Sequence, residues 1–203
     1  MDLFKLVESS RSFRRFDESV PISKMDMVDL VKLARICPSA ANQQPMKYFI
    51  SDEAELNGKI FETLAWASYL RDWPGPAEGE RPTGYIVICA DTSITKSWWC
   101  DDGIVAQTML LGATEKGFGG CMIGAIKHKE LHELLNFPDK YEIRLVLALG
   151  KPAEVVKLES ADGSIRYWRD GDDVHHVPKR PLDEVLIKIR KKAKPVMRKN
   201  LFD

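Results

Sequence analysis

Three arginines and three serines fall within eight residues, Ser9-Ser10-Arg11-Ser12-Phe13-Arg14-Arg15-Phe16. The run separates two stretches of helical spacing, so its side chains and free N–H groups can converge on an anion, and the planar guanidinium fork suits a phosphate. On spacing alone, an anion site and a solvated basic turn account for it equally well. Two further runs could serve a ligand. Pro38-Ser39-Ala40-Ala41-Asn42-Gln43-Gln44-Pro45 is a polar loop bounded by prolines. In Gly119-Gly120-Cys121-Met122-Ile123-Gly124, glycines without a Cβ let a flat molecule approach the backbone. Lys179 and Arg180 add two cations near the other end of the chain.

Other signals are weaker. His128 and His132 stand four apart on a helical stretch, a spacing for two metal ligands, but Lys129 takes the place a zinc protease gives to glutamate. Surface histidines are the better account, and no metal is expected. Gly117-Phe118-Gly119 opens like a dinucleotide fingerprint, yet it follows a helical stretch, and Met122 stands where the third glycine belongs. The basic run over 188–199 is interspersed with Ile189, Val196 and Met197, which suits a solvated helix face and an arm packed on a partner better than a nucleic-acid site. The charge balance agrees. Thirty Lys and Arg against thirty Asp and Glu leave no global field to draw nucleic acid or anionic lipid, so any electrostatic site is local.

At 203 residues, 44% hydrophobic and 30% charged, the chain can bury one or at most two cores, which excludes a disordered, collagen-like or coiled-coil protein. No stretch approaches the roughly 18 apolar residues of a membrane span. Met1 opens onto Asp2, Lys5 and Glu8 rather than a secretory core, so a cytoplasmic location is expected. Cys37, Cys89, Cys100 and Cys121 lack C-x-x-C spacing and sit in apolar stretches, which fits reduced, packed thiols.

Periodicity gives the elements that must hold these residues. Helices are predicted over 1–8, 23–37 with Ser23 as N-cap, 54–70, 98–116, 127–136 and 181–192, and strands over 47–51, 85–90, 121–126 and 142–150. Residues 71–84 hold three Pro and three Gly, too many for a regular element. A long loop of that kind is a candidate active-site lid, with Tyr69, Leu70 and Trp73 as contacts for a planar substrate, although plain surface packing fits as well. The 98–116 helix is apolar almost all round, which requires burial either at the centre of one subunit or in a dimer. A hairpin is predicted around Asp162-Gly163, with Ile165 to Trp168 in one arm. Few strands and long helices point to an α+β sandwich rather than a doubly wound sheet.

Taken together, these runs resemble the nitroreductase-like family of FMN-dependent oxidoreductases. The first is similar to that family's R-R-S-x-R-x-F/Y signature, with Ser10 in place of the first Arg, and the second to its P-S-x-x-N-x-Q-P-W segment, with Met46 in place of Trp. Residues 119–125 resemble its glycine-rich segment, Gly150-Lys151-Pro152-Ala153-Glu154 its G-x-P-x-E strand end, and 178–185 the C-terminal segment that returns a basic residue to the phosphate. The resemblance spans almost the whole chain. It implies a single domain over 1–203, an α+β, α-β-α sandwich with helices on a mainly antiparallel sheet, and an arm over about 181–203 packed on the partner of a homodimer. FMN would lie at the interface, with NAD(P)H as a transient co-substrate.

Under this resemblance Arg11, Ser12, Arg14 and Arg180 would hold the phosphate, with Lys179 as a further contact, Arg14 would also face the N1 and O2 side of the flavin, and Met122, Ile123 and Gly124 would run beside the ring. Pro38, Ser39, Ala40, Asn42 and Gln44 would line the cofactor site, the loop reaching across from the partner. No side chain need act as acid, base or nucleophile, because hydride moves at flavin N5. The implied reaction passes hydride from NAD(P)H to a nitroaromatic or quinone by a ping-pong mechanism. Reductive dehalogenation, substrate desaturation, flavin degradation and FMN binding without turnover are the alternatives. The 160–178 segment, with Tyr167, Trp168, His175 and His176, exceeds the shortest family members and receives no role.

Overall fold

The computed structural model describes residues 2–70 and 72–188. Its main sheet is built around β3 (Gly84–Asp91), whose eight residues are all buried, as an apolar run must be when both faces are covered. β3 pairs antiparallel with β2 (Met46–Ser51) on one side and with β5 (Tyr141–Pro152) on the other. The outer edge of β5 is shared by β4 (Gly119–Ile123) and, beyond it, β1 (Phe16–Asp17), both antiparallel to it.

Strand alternation divides the core. Ile86, Ile88 and Ala90, with Leu147 and Leu149, pack with residues of α2 (Lys24–Arg35) and α4 (Asp101–Glu115). Tyr85, Val87 and Cys89, with Val146 and Ala148, pack with Ile60 of α3 (Ala54–Phe61) and Leu131 of α5 (His128–Leu134). Helices thus cover both faces of an antiparallel sheet, the α+β sandwich expected. Ser23 accepts from Asp26 N–H and caps α2 as predicted. α4 buries Val105, Ala106, Met109, Leu110 and Ala113 within one chain, so its all-round apolar surface belongs to a central core helix. By contrast α1 (Leu3–Ser9) buries nothing and leaves Leu3, Phe4 and Val7 exposed.

Several expectations fail for tertiary reasons. The helix predicted over 54–70 stops at Phe61. Thr63 Oγ1 donates back to Ile60 O at 2.7 Å, Leu64 bridges Ile126, and Ala65 N–H donates to Ala125 O at 2.9 Å, so the backbone groups a longer helix needs are already engaged. Asp162-Gly163 turns the chain, but the strands flanking it do not pair with each other. β6 (Val156–Ser160) runs parallel to β8 (His175–Lys179), and β7 (Trp168–Arg169) pairs antiparallel with β8. The hairpin turn lies at 170–173 instead, where Asp170 Oδ1 accepts from the N–H groups of Asp172 and Val174. From the predicted 181–192 helix only α6 (Leu182–Val185) is helical among the described residues; the rest of the 181–203 arm from residue 189 onward, with most of the basic run, lies outside them. Cys89 and Cys121 are packed as expected, whereas Cys100 is exposed, and all four cysteines are free. Among the described residues no helix is long and apolar enough to cross a membrane.

Gly120 is where β4 lies tight against a neighbouring backbone. A Cβ there would lie 2.6 Å from the backbone oxygen of Ala148 and under 3 Å from Leu149 and Leu110 Cδ2 atoms, and a carbonyl in a paired strand cannot yield as a side chain can. Gly120→Ala is therefore expected to lower stability by about 1–3 kcal/mol, read as a lower urea midpoint at an unchanged m value. An unaltered midpoint would show that this contact does not limit the sheet.

Candidate active site

The N-terminal basic run is fastened to the sheet by its backbone. Phe13 N–H donates to Gly120 O at 3.0 Å, Ser12 bridges Gly120, and Phe16 enters β1. Behind it lies the carboxylate of Glu154, whose side chain is 2% exposed. One oxygen accepts the N–H groups of Arg14 and Arg15, and the other takes Arg169 Nη2 of β7 at 2.8 Å. The last residue of the G-x-P-x-E strand end is thus a clamp for the basic run.

The three arginines then diverge. Arg15 bonds Glu80 at 3.3 Å and Asp173 at 2.6 Å, tying the 72–83 loop to the β7–β8 turn. Arg11 and Arg14 instead line a cleft of about 350 Å³ with Ser12, Met122 and Lys179. Arg11 Nη2 donates to Val7 O at 2.5 Å, its Nε is buried without a partner among the described residues, and burial lowers its pKa against the upward pull of Glu8. Arg14, Met122 and Tyr167 also border an adjoining cleft of about 190 Å³, whose walls are Cys121 to Ala125 and, opposite, Ala65 to Ser68. Ile123 and Gly124 lie in this second cleft. Cys121 Sγ belongs to the packed side, where burial raises its pKa and makes the thiolate, the reactive form, less accessible.

β8 forms a wall of the first cleft, and its period of two decides which residues reach it. His175, Val177 and Lys179 line the cleft. Arg180 follows the strand and ion-pairs with Glu184 at 3.0 Å instead, so of the two C-terminal cations Lys179 is the one that lines the cleft with Arg11 and Arg14. The proline-bounded loop occupies a different place. Pro38, Ser39 and Gln44 line a separate cleft of about 170 Å³, and Ala40 and Asn42 form the 3₁₀ turn beside it. Buried Asp101 at the start of α4 holds the loop, accepting Ser39 Oγ at 2.6 Å and Ala40 N–H at 3.1 Å. Within one chain the loop and the basic run do not share a cleft.

Trp73 packs on the second core cluster under the Arg169 guanidinium, 4.5 Å from its ring centroid, Leu70 O accepts Trp73 N–H, and neither residue is among those lining the two clefts. Tyr69 touches Tyr167, with ring centroids 4.9 Å apart and its N–H donating to Tyr167 Oη at 3.3 Å. The residues facing the second cleft precede these, in the stretch read as helix. The two neighbouring histidines of β8 point to opposite sides, only His175 lining the cleft. His176 stacks on Trp168 and bonds Glu159 at 2.7 Å and Asp170 at 2.8 Å, which raises its pKa. His175 is buried, and desolvation, then Arg14 and Arg169, push its pKa down to about 4. His128 is exposed and His132 lies edge-on to Phe137.

Removing one partner of a buried ion pair leaves the other unpaired. Glu154→Ala is expected to lower stability by about 3–5 kcal/mol and to loosen the basic run, checked by urea unfolding and by faster amide exchange at Arg14 and Arg15. Exchange rates unchanged at both amides would remove Glu154 as the clamp. The two histidines act on stability in opposite senses. The raised pKa of His176 contributes stability at low pH that is lost as pH rises above 6.5 through its folded value. The lowered pKa of His175 costs stability as pH falls from about 6.5 toward 4, where the unfolded ring takes a proton the folded one refuses. His176→Asn should therefore flatten the alkaline side of a thermal-midpoint profile, and a profile identical to wild type would refute the assignment.

The nitroreductase family model matches residues 91–151. A Bacillus subtilis protein provisionally named NAD(P)H nitroreductase YdgI is 32% identical over 187 residues, covering 75% of this chain and 90% of its own. An Archaeoglobus fulgidus protein provisionally named NADH dehydrogenase/NAD(P)H nitroreductase is 27% identical over 169 residues, covering 79% and 91%. The crystal structure of a protein from Exiguobacterium sibiricum, provisionally titled a nitroreductase in complex with FMN, shares the fold at a TM-score of 0.63 and 19% identity over 76% of this chain and 90% of that one. With sequence, fold and the basic run against β4 in agreement, the chain belongs to the nitroreductase family.

Proposed function

We propose that this protein is an NAD(P)H-dependent FMN oxidoreductase that passes hydride through flavin N5 to an electron-poor acceptor, a nitroaromatic or a quinone, in two separate half-reactions. The observation that carries the reading is the meeting of Arg11, Arg14 and Lys179, from opposite ends of a chain with no net charge, in one cleft beside β4. The residues fit the cofactor. Arg11 Nε is a buried donor without a partner among the described residues, suited to a phosphate oxygen, and a cleft of about 350 Å³ lies in the usual range for cofactor sites. FMN in the Exiguobacterium sibiricum protein and the nitroreductase names of the relatives support the same assignment.

When bound, FMN supplies the hydride chemistry. The chain binds and orients. Arg11 and Lys179 would neutralise the phosphate dianion and the Ser12 hydroxyl would donate to it. Arg14, at the junction of the two clefts, offers its guanidinium to the pyrimidine side of the ring, where reduction places negative charge. At Gly124 a Cβ would come no closer than 3.7 Å to Leu145, so the glycine is bare on the cleft side and a ring can lie against the backbone. A second copy of the chain supplies Ser39, Ala40, Asn42 and Gln44 in this reading, with the exposed Leu3, Phe4, Val7 and Trp99 as apolar surface for the contact.

The purified protein is expected to be yellow, to be bleached by NADH or NADPH under nitrogen, and to regain colour on adding a nitroaromatic or quinone. Colourless protein that gains no thermal stability with FMN overturns the reading, and bleached protein inert to both acceptors moves it to another chemistry of the fold. Arg11→Ala and Arg14→Ala should each weaken FMN retention by about 1.5–3 kcal/mol, measured as flavin dissociation constants. Equal constants in both variants and wild type would put the phosphate elsewhere.

A further inference from the structure

His175 is 1% exposed and lines the same cleft as Arg11, Arg14 and Lys179, yet neither Nδ1 nor Nε2 has a hydrogen-bond partner among the described residues. Its position is fixed, since its backbone N–H donates to Val155 O at 2.8 Å and β8 is paired on both sides. Buried polar groups are ordinarily hydrogen-bonded, and the adjacent His176 satisfies both of its ring nitrogens within the protein. Two unused ring nitrogens on a residue that lines a ligand cleft therefore point to a partner that the described part of the chain does not itself provide.

We propose that His175 is a cofactor-binding residue whose imidazole hydrogen-bonds the hydroxyls of the ribityl chain of FMN; the proposal rests on the flavin reading above. The chemistry selects that part of the molecule. Burial and the flanking Arg14 and Arg169, with His176 alongside, keep the ring neutral, while the carboxylate of Glu154, next to the Val155 whose carbonyl accepts the His175 N–H, is engaged by Arg169 and by the Arg14 and Arg15 amides. A neutral imidazole offers one N–H and one lone pair, and alcohol hydroxyls, which both give and accept, are its complement. A phosphate only accepts and is better served by the guanidinium and ammonium groups in the same cleft. The ring of Tyr167, 5.2 Å from that of His175 and 5.3 Å from the Arg14 guanidinium, lies against the imidazole and must turn aside as the chain enters.

FMN dissociation constants of the full-length protein, read by flavin fluorescence, test this. His175→Phe should weaken FMN about tenfold, the loss of one net hydrogen bond, while His175→Gln, which still gives and accepts, stays within about threefold of wild type. In wild-type protein labelled with ¹⁵N-histidine, FMN should shift the His175 ring nitrogens and inorganic phosphate alone should not, a measurement that stands even if the Phe variant does not fold. Wild type that fails to bind FMN sinks both the flavin reading and this one. FMN binding equally well to wild type and both variants, with the ring nitrogens unmoved, overturns the His175 assignment alone. Equal shifts with phosphate and with FMN overturn the ribityl contact in favour of the phosphate.

Discussion

Concentrating positive charge in a cleft requires that the chain bearing it be held there against its own repulsion, and the buried carboxylate of Glu154 meets that requirement. It accepts two consecutive amides of the basic run, so it fixes backbone and leaves the Arg14 side chain to the clefts. Its second oxygen pairs with Arg169, 10% exposed, which brings the C-terminal sheet to the same point. A buried pair of this kind is costly to desolvate and is retained where it fixes an arrangement. Here it joins three parts of the molecule distant in sequence: the N-terminal run, the end of β5 and β7.

The proline-bounded loop is built on the same device. Asp101, buried at the head of α4, holds Ser39 Oγ and Ala40 N–H, and Ser39 Oγ in turn accepts Gln44 N–H at 2.9 Å. Ala41, Asn42 and Gln44 all have positive φ, a conformation that nonglycine residues adopt only when their surroundings enforce it. In both segments a buried acid fixes the backbone; in the loop Gln44 Nε2 donates back to Asn42 O at 3.1 Å, whereas the Arg14 guanidinium of the basic run reaches both clefts. The two segments lie in different clefts of one protomer, and that separation is what a dimeric site would resolve.

How far the sequence could be read depended on how local the cause was. Ser23 as a cap, the buried β3 and the Arg/Ser run announce themselves within a few residues, and the sandwich followed from them. The end of α3 did not, because what stops it is a pairing between Leu64 and Ile126 across the fold, while 54–70 reads in sequence as one helix. The Asp162-Gly163 turn was legible as a turn, but a turn does not say which strands will pair, and β6 found β8 in parallel rather than β7. Asp101 and the clamp role of Glu154 carry no local signal, since an acid that will be buried looks like any other in sequence.

The choice between Lys179 and Arg180 is the clearest instance of a site decided by strand geometry. Both are cations and adjacent, and composition cannot rank them. Once β8 is a strand, however, His175, Val177 and Lys179 share a face, and His176 must turn to the other, toward Glu159 and Asp170. The same alternation gives two neighbouring imidazoles opposite electrostatic surroundings, one among guanidinium groups and one between carboxylates. A segment that received no role from the sequence is therefore a wall of the cleft. Its charged residue reaches the cleft because a period of two, starting from His175, ends on Lys179.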